Sequence, residues 1–253
     1  LLFLLPVVGL VSKSRLSAQA ERLAWFCCMI LWILIIGLRH EIGCDWEPYL
    51  DIYLQNKNAS VFSIDWLSIG QRGALAPWEP AHLILNLISG YLDLGMYGVN
   101  TLYALLFVAG ISSFCRNLPS PWLALTIATP YLLTIVAMGY SRQAAAIGLI
   151  FWSISFLMKK RVLFALALAL VSVLFHQTVA FIVLIIVGIG PNYPDKYKKL
   201  VLVALASVFI VISMLHADKY DWSLAQFHQA DTLAVRFRTI LSAIPAAIFL
   251  SMW

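Results

Sequence analysis

The chain has 253 residues, of which 62% are hydrophobic and only 11% charged, and its mean hydropathy is +0.89. Soluble domains carry about 25% charged residues, so the composition excludes an ordinary soluble protein and predicts an integral membrane protein. A net charge of +5 would suggest nucleic-acid binding in a soluble protein. In a membrane protein it reflects orientation, and we expect no nucleic-acid partner.

Apolar runs along the chain predict the spans, because about 20 residues are needed to cross ~30 Å of hydrocarbon. In chain order the runs are 1–11, 23–38, 96–114, 122–138, 144–158, 162–175, 178–190, 200–215 and 240–253. They predict an all-α, polytopic helical bundle of roughly eight or nine spans or part-spans, forming one transmembrane domain over 1–253. The first and last runs are incomplete, so we expect truncated termini.

The orientation depends on residues 81–94, fourteen residues interrupted by polar side chains. If this segment does not cross, ten of the seventeen basic residues lie inside and ten of the twelve acids outside. If it crosses, only seven basic residues lie inside. Because cytoplasmic loops collect Lys and Arg, the first arrangement is favoured, and 81–94 is predicted to be a re-entrant or interfacial helix on the outer face.

The long polar stretch 39–95 then becomes a periplasmic loop. It begins with charged residues directly after an apolar run, and charge at the edge of lipid indicates a site. Tyr49, Ile52 and Tyr53 have helical spacing, which predicts an amphipathic helix beginning over 48–54. The aromatic residues of this loop have two interpretations: the interfacial belt of many membrane proteins, or a platform on which sugar rings stack.

Two arginines are candidates for binding an anion. Arg142 lies at the outer end of a helix, where Ala144 and Gly148 form a small-xxx-small pair suited to close helix packing. Arg39 ends the first complete run. Either side chain can be structural, through snorkelling or pairing with an acid, or can hold phosphate oxygens with its guanidinium fork.

Candidate proton acceptors lie on the same outer side. His176 stands alone in an apolar stretch, where it is either satisfied by a backbone carbonyl or suited to proton transfer. Asp45 and Glu47 form an acid-x-acid pair, and Glu79 precedes a proline. A general base is favoured over a metal site for these acids, so we predict neither a metal nor a cofactor. No Gly-rich phosphate loop, zinc motif or nucleophile elbow is present.

Taken in order, four local patterns resemble the EpsG-like, Wzy-type polysaccharide polymerases of bacterial capsule, exopolysaccharide and O-antigen systems. The patterns cover about residues 37–180 and are Gly37-Leu38-Arg39 with Gly43-x-Asp45 and Tyr49; Glu79-Pro80 with Leu85-Asn86; Tyr140-x-Arg142-Gln143 with Ala145; and Phe175-His176 with Ala180.

The resemblance implies a GT-C-like glycosyltransferase in the bacterial inner membrane whose active face is periplasmic. Its donor would be a growing glycan on undecaprenyl diphosphate and its acceptor a lipid-linked repeat unit. A chain-length regulator and a flippase of the same pathway are its expected partners. The residues expected to be catalytic are Asp45, Glu79, Arg142 and His176. Those expected to bind substrate are Arg39, Tyr49, Asn86, Tyr140, Arg142 and Gln143.

Two other functions fit the sequence. A transporter or flippase for a polar or lipid-linked solute would place charged residues at mid-membrane in broken helices, whereas here most of them cluster toward one face. A membrane-bound acyl- or phosphotransferase would carry a site rich in histidine or aspartate.

Overall fold

A computed structural model describes residues 4–12, 17–43, 46–56, 80–180 and 182–183, and every element assigned there is helical. All of these residues belong to Leu1–Leu202, the first of two compact units. The second unit, Val203–Trp253, lies outside the described residues, as do the runs predicted at 200–215 and 240–253 and most of 178–190. The single domain over 1–253 stays a prediction.

Four helices in the described ranges are long and apolar enough to cross a membrane. They are α2 (Ala18–Gly37), α5 (Gly95–Arg116), the continuous helix Pro121–Gly139 and α8 (Ser141–Met158). The shorter apolar helix α9 (Val162–Phe175) has the predicted bounds. The prediction of an all-α membrane protein is confirmed.

The remaining helices are short. They are α1 (Leu4–Ser12), α3 (Trp46–Asn56) and α4 (Pro80–Tyr91), with a single 3-10 turn at Gln177–Val179. At 12 residues α4 is ~18 Å long, too short to cross ~30 Å of hydrocarbon. That length agrees with the predicted non-crossing helix, although the predicted bounds 81–94 ended three residues too late.

Two predicted starts are wrong, for local reasons. The first complete span was predicted at 23–38, but α2 begins at Ala18 because the Ser17 side chain caps it, accepting a hydrogen bond from the N–H of Ala20 at 3.3 Å. The span predicted at 144–158 begins at Ser141. Arg142 therefore lies in the first turn of α8, at the helix end where it was predicted, although the predicted apolar run began two residues after it.

Helix Pro121–Gly139 is not a uniform α-helix. It consists of α6 (Pro121–Ala128), a π-helical segment (Thr129–Val136) and α7 (Ala137–Gly139). Pro130 lies in the π-helical segment and supplies no N–H to the helix. The Thr134 hydroxyl donates to the carbonyl of Thr129 at 2.8 Å. Such segments are frequent at functional sites, and this one leads to the end of the helix at Gly139.

The helices pack in the order α2, α5, α8 and α9, with the most extensive contact between α5 and α8. A Cβ at Gly110 would lie 1.8 Å from the carbonyl oxygen of Gly148, and one at Gly148 would lie 2.4 Å from the Cα of Phe107. Neither glycine can carry a side chain, so the two backbones touch. The predicted close packing at Gly148 is confirmed, and such contacts supply much of the attraction between helices in lipid.

Candidate functional site

One end of the bundle, here called the site end, brings together residues 38–43, 46–49, 80–86, 95–103, 137–143 and 175–176. Gly43 shows how closely these segments approach. Its φ of +99° is one that residues with side chains rarely adopt, and a Cβ there would lie 2.4 Å from the carbonyl oxygen of Met138. The chain following α2 therefore packs directly on the end of helix Pro121–Gly139.

Arg39 joins these segments. Its side chain is buried, with 3% exposed. Nη1 donates to the carbonyls of Ala137, at 3.0 Å, and Met138, and Nη2 donates to the side chains of Asn100, at 3.3 Å, and Ser141. The two carbonyls form the negative end of a helix, where a cation is favourable. Arg39 thus fixes the break between α7 and α8.

Arg142 lies one residue beyond that break and is half-buried. Its Nε donates to the hydroxyl of Tyr49 at 2.5 Å, and its Cζ lies 4.8 Å from the centroid of the Tyr49 ring. Because Tyr49 is only 2% exposed, α3 presents a fixed aromatic face to the guanidinium. This is a cation–π contact combined with a charge-assisted hydrogen bond.

The start of α8 adds positive potential to that of Arg142. The first N–H groups of an α-helix have no partner within the helix, and together with the helix dipole they form an anion-binding end. The residue before the helix, Tyr140, makes no side-chain capping bond, and the first turn contains no acid. A cation in the first turn is unfavourable for an isolated helix. The hydrogen bond and ring contact with Tyr49 offset part of that cost for Arg142.

His82 lies behind Tyr49 in a buried network. Its ring centroid is 4.8 Å from that of Tyr49, and its Nδ1 is 2.5 Å from the Tyr103 hydroxyl. The Asn86 amide donates to the His82 carbonyl at 2.7 Å and lies 3.3 Å from His82 Nε2. Burial, and then the charge of Arg142, lower the pKa of His82 from 6.5 to about 3. The imidazole is therefore neutral at physiological pH.

The end of α9 joins the site through Tyr103. The Phe175 ring packs edge-on against the Tyr103 ring, with centroids 6.1 Å apart. His176 follows as the half-buried capping residue of α9, and its backbone N–H donates to the carbonyl of Ser172 at 3.2 Å. His176 was predicted at the tip of a hairpin; in the described residues it ends α9 and precedes the 3-10 turn.

At the rim of the site end, His40 lies among aromatic rings. Its Nδ1 is 2.9 Å from the Tyr97 hydroxyl, and its ring centroid is 5.4 Å from that of the buried Trp46. His40 Nε2 lies 3.5 Å from a carboxylate oxygen of Glu41, forming an ion pair when the histidine is protonated. Both are highly exposed, so the pair contributes little to stability.

Of the predicted site residues, the structure brings four into this arrangement: Arg39, Tyr49, Asn86 and Arg142. Tyr140 and Gln143 flank Arg142 along the chain and are half-buried. Asp45 and Glu79 lie outside the described residues, directly before the first residues of α3 and α4 in sequence. No group of three His, Cys, Asp or Glu side chains suited to a metal ion occurs among the described residues.

Sequence reasoning missed His82, Asn100, Tyr103 and Ser141. His82 and Asn86 are four residues apart, a spacing that places both on one face of a helix, and this signal was available in the sequence. Asn100 is a lone amide in an apolar run, which indicates a buried polar contact in a membrane helix. Nothing local distinguishes Tyr103 or Ser141.

Comparison with known proteins identifies a family. No curated protein and no solved structure matches the chain. The model of the EpsG family matches residues 22–251, which include every helix of the site end. The chain therefore belongs to the EpsG family, whose members are Wzy-like polysaccharide polymerases.

Proposed function

We propose that this protein polymerises lipid-linked oligosaccharide repeat units into capsular, exopolysaccharide or O-antigen chains at the outer face of the bacterial inner membrane. The donor is a growing glycan on undecaprenyl diphosphate, and the acceptor is a repeat unit on the same lipid. An acceptor hydroxyl attacks the anomeric carbon, the bond from that carbon to the diphosphate oxygen breaks, and the lipid diphosphate leaves. Each transfer extends the chain.

The observation that carries the proposal is the position of Arg142 at the start of α8. The leaving diphosphate gains negative charge as its bond to the sugar breaks, and positive groups fixed at that point lower the barrier. Arg142 and the N–H groups at the start of α8 provide such groups. Tyr49 orients the guanidinium from one side.

Arg39 has a positioning role in this proposal. Its guanidinium is committed to the carbonyls at the end of α7 and to Ser141, the residue before Arg142. Through that contact it sets where α8 begins and hence where Arg142 lies. This differs from the sequence-based expectation that Arg39 itself binds the diphosphate.

The proton of the acceptor hydroxyl goes to Asp45, Glu79 or His176. All three are consistent with a general base, which must come within hydrogen-bonding distance of the hydroxyl. His82 is a poor candidate, since it is 5% exposed and bonded to Tyr103. His82 packs behind Tyr49, and because its ring is neutral it does not repel the positive charge of Arg142.

The distribution of basic residues supports the proposed orientation of the protein in the membrane. At the opposite end of the helices, here called the basic end, lie Arg22, Arg116 and the turn 159–161, which contains Lys159, Lys160 and Arg161. Basic residues accumulate on the cytoplasmic side. The site end then faces the periplasm or cell exterior, where flipped lipid-linked repeat units and the partner flippase and chain-length regulator are found.

The test is complementation of a strain lacking the gene, with lipid-linked glycans separated on a gel. Wild type restores long chains, whereas Arg142→Ala leaves one-repeat material, and Arg142→Lys gives a low level of polymer because it keeps the charge without the planar fork. The control is Arg161→Ala at the basic end, which restores wild-type chains. Full-length polymer from a well-expressed Arg142→Ala variant would contradict the catalytic role, and repeat units trapped inside the cell would favour a flippase.

A further inference from the structure

At the basic end, a groove of about 220 Å³ runs between α2 and α5. Its walls are apolar side chains, and its mouth carries Arg22 from α2 and Arg116 from α5. The groove is at the opposite end of α2 from Arg39, so the proposed transfer reaction makes no use of it.

The walls that α2 and α5 contribute to the groove are equal in length. On α2 the lining runs from Arg22 through Trp25 and Met29 to Ile33, and on α5 it runs from Arg116 back through Ser112 to Leu105. Each wall covers eleven residue steps, ~16 Å at 1.5 Å per residue. That length is about half of a ~30 Å hydrocarbon layer, which is the depth of one leaflet.

The arginines give the groove its charge. Each is exposed, and neither forms an ion pair within the described part of the chain. Snorkelling accounts for one arginine at a membrane surface, but here two arginines from different helices line one apolar groove, and the planar fork of each guanidinium matches phosphate oxygens. The Trp25 indole is not available to a ligand as a donor, since it donates to the Ser112 hydroxyl at 2.8 Å.

The volume narrows the class of ligand. Pockets that enclose a small soluble ligand measure about 300–1,000 Å³, and this groove is smaller and continuous with exposed apolar side chains such as Phe26 and Leu105. It is suited to part of an extended chain whose remainder stays in the bilayer. Basic pockets between membrane helices are known to bind anionic headgroups.

We infer that this groove is a binding site for one anionic phospholipid of the leaflet at the basic end. One acyl chain lies between α2 and α5, and Arg22 and Arg116 hold the phosphate. The site is separate from the proposed transfer reaction and stands even if that proposal fails.

The test is native mass spectrometry of the full chain in detergent, titrated with phosphatidylglycerol or phosphatidylcholine of identical acyl chains. We expect one phosphatidylglycerol per chain to be retained with at least about tenfold preference. Arg22→Gln combined with Arg116→Gln should weaken that binding by roughly twenty-five-fold, at about fivefold for each arginine near the membrane surface. The matched control, Lys159→Gln with Lys160→Gln, removes two charges at the same end and should change it less than twofold.

A second variant tests the groove itself. Ala109→Phe fills it and keeps both arginines, so phosphatidylglycerol binding should fall by at least about tenfold, while gel filtration and thermal unfolding check the fold. Equal losses in the lysine control, retention by Ala109→Phe in a folded protein, displacement by soluble glycerol phosphate, or a preference for a polyprenyl phosphate would each overturn the inference. If Ala109→Phe does not fold, the arginine pair and its lysine control decide alone.

Discussion

The guanidinium of Arg142 is bonded to the hydroxyl of Tyr49 and lies over its ring, although 93 residues separate the two in sequence. This contact connects α3, the first helix after α2, to the start of α8. The effect of Arg142 on activity therefore depends on Tyr49, because this buried tyrosine helps to set the position of the guanidinium group.

Tyr49→Phe should therefore lower kcat by at least about tenfold. The variant keeps the aromatic face and removes one hydrogen bond to a charged group, which is worth about 1.5–3 kcal/mol. Tyr49→Ala should lower kcat further, since the ring is lost as well. The measurement is single-repeat addition to a lipid-linked acceptor by purified protein. Tyr53→Phe is the control, because Tyr53 lies one turn along α3 and is also buried. An unchanged rate for Tyr49→Phe would show that Tyr49 does not position Arg142.

Arg39→Ala should destabilise the fold. The substitution leaves two backbone carbonyls and the side-chain oxygen of Asn100 without their charged donor in a buried place. Breaking such a network costs about 3–5 kcal/mol. The readout is apparent Tm in detergent, with Arg142→Ala as the comparison, which should lower Tm less because Arg142 is half-buried and loses fewer buried hydrogen bonds than Arg39.

Arg39→Ala and Arg39→Lys together separate two roles for Arg39. If Arg39 positions α8, activity and Tm fall together and Arg39→Lys recovers only part of both, since an ammonium group cannot reach four acceptors in one plane. If Arg39→Ala leaves Tm unchanged and abolishes activity, Arg39 binds substrate as the sequence suggested, and the positioning role is wrong.

The pH dependence of stability should contain a contribution from His82. In the unfolded chain this histidine titrates near 6.5, whereas in the folded protein its pKa is about 3. Between these values the unfolded state binds a proton that the folded state does not, so the contribution is complete above about pH 6.5 and is lost as pH falls toward 3. His82→Gln should flatten the fall of Tm with acid, while His40→Gln at the exposed rim should not. Identical pH profiles for wild type and His82→Gln would refute this assignment.

The predicted orientation has its own test. A cysteine placed at Lys160 in a cysteine-free background should be protected from a membrane-impermeant thiol reagent in intact cells, whereas one placed at the exposed Tyr97 should react. Reaction at Lys160 would invert the topology and place the site end in the cytoplasm.

The fold class and the main spans could be predicted because membrane helices depend on length and apolarity, which are local properties of the sequence. α9 was predicted with the bounds that the structure gives it. Errors arose where one polar contact decides a boundary: Ser17 extends α2, and the break held by Arg39 sets the start of α8. Neither contact changes the pattern of apolar residues from which the membrane spans are predicted.

The site was predicted less completely, for a related reason. Charged residues such as Arg39 and Arg142 stand out in an apolar chain and were found. What each one does depends on partners more than 90 residues away, such as Tyr49 and Ser141, which carry no distinctive local pattern. Sequence alone therefore left Arg39 open between a structural and a binding role, and its contacts supply the argument for positioning.

Gly148→Ala tests how far the position of Arg142 depends on helix packing. The added Cβ would lie 2.4 Å from the backbone of Phe107, and a backbone atom cannot turn aside as a flexible side chain can. Overpacking costs about 1–3 kcal/mol, so α8 should move away from α5 and apparent Tm should fall. Because Arg142 lies six residues toward the start of the same helix, ~9 Å away, its contact with Tyr49 should be disturbed and activity should fall with Tm.

The matched control is Gly139→Ala, whose Cβ would meet nothing within 4 Å although Gly139 is much nearer to Arg142 in sequence. It should leave Tm unchanged or slightly raised, since alanine restricts the unfolded chain more than glycine does. If both variants behave alike, the contact between α5 and α8 does not set the site. If only Gly148→Ala loses activity, the close approach at Gly110 and Gly148 is what allows the start of α8 to reach Arg39 and Tyr49 together.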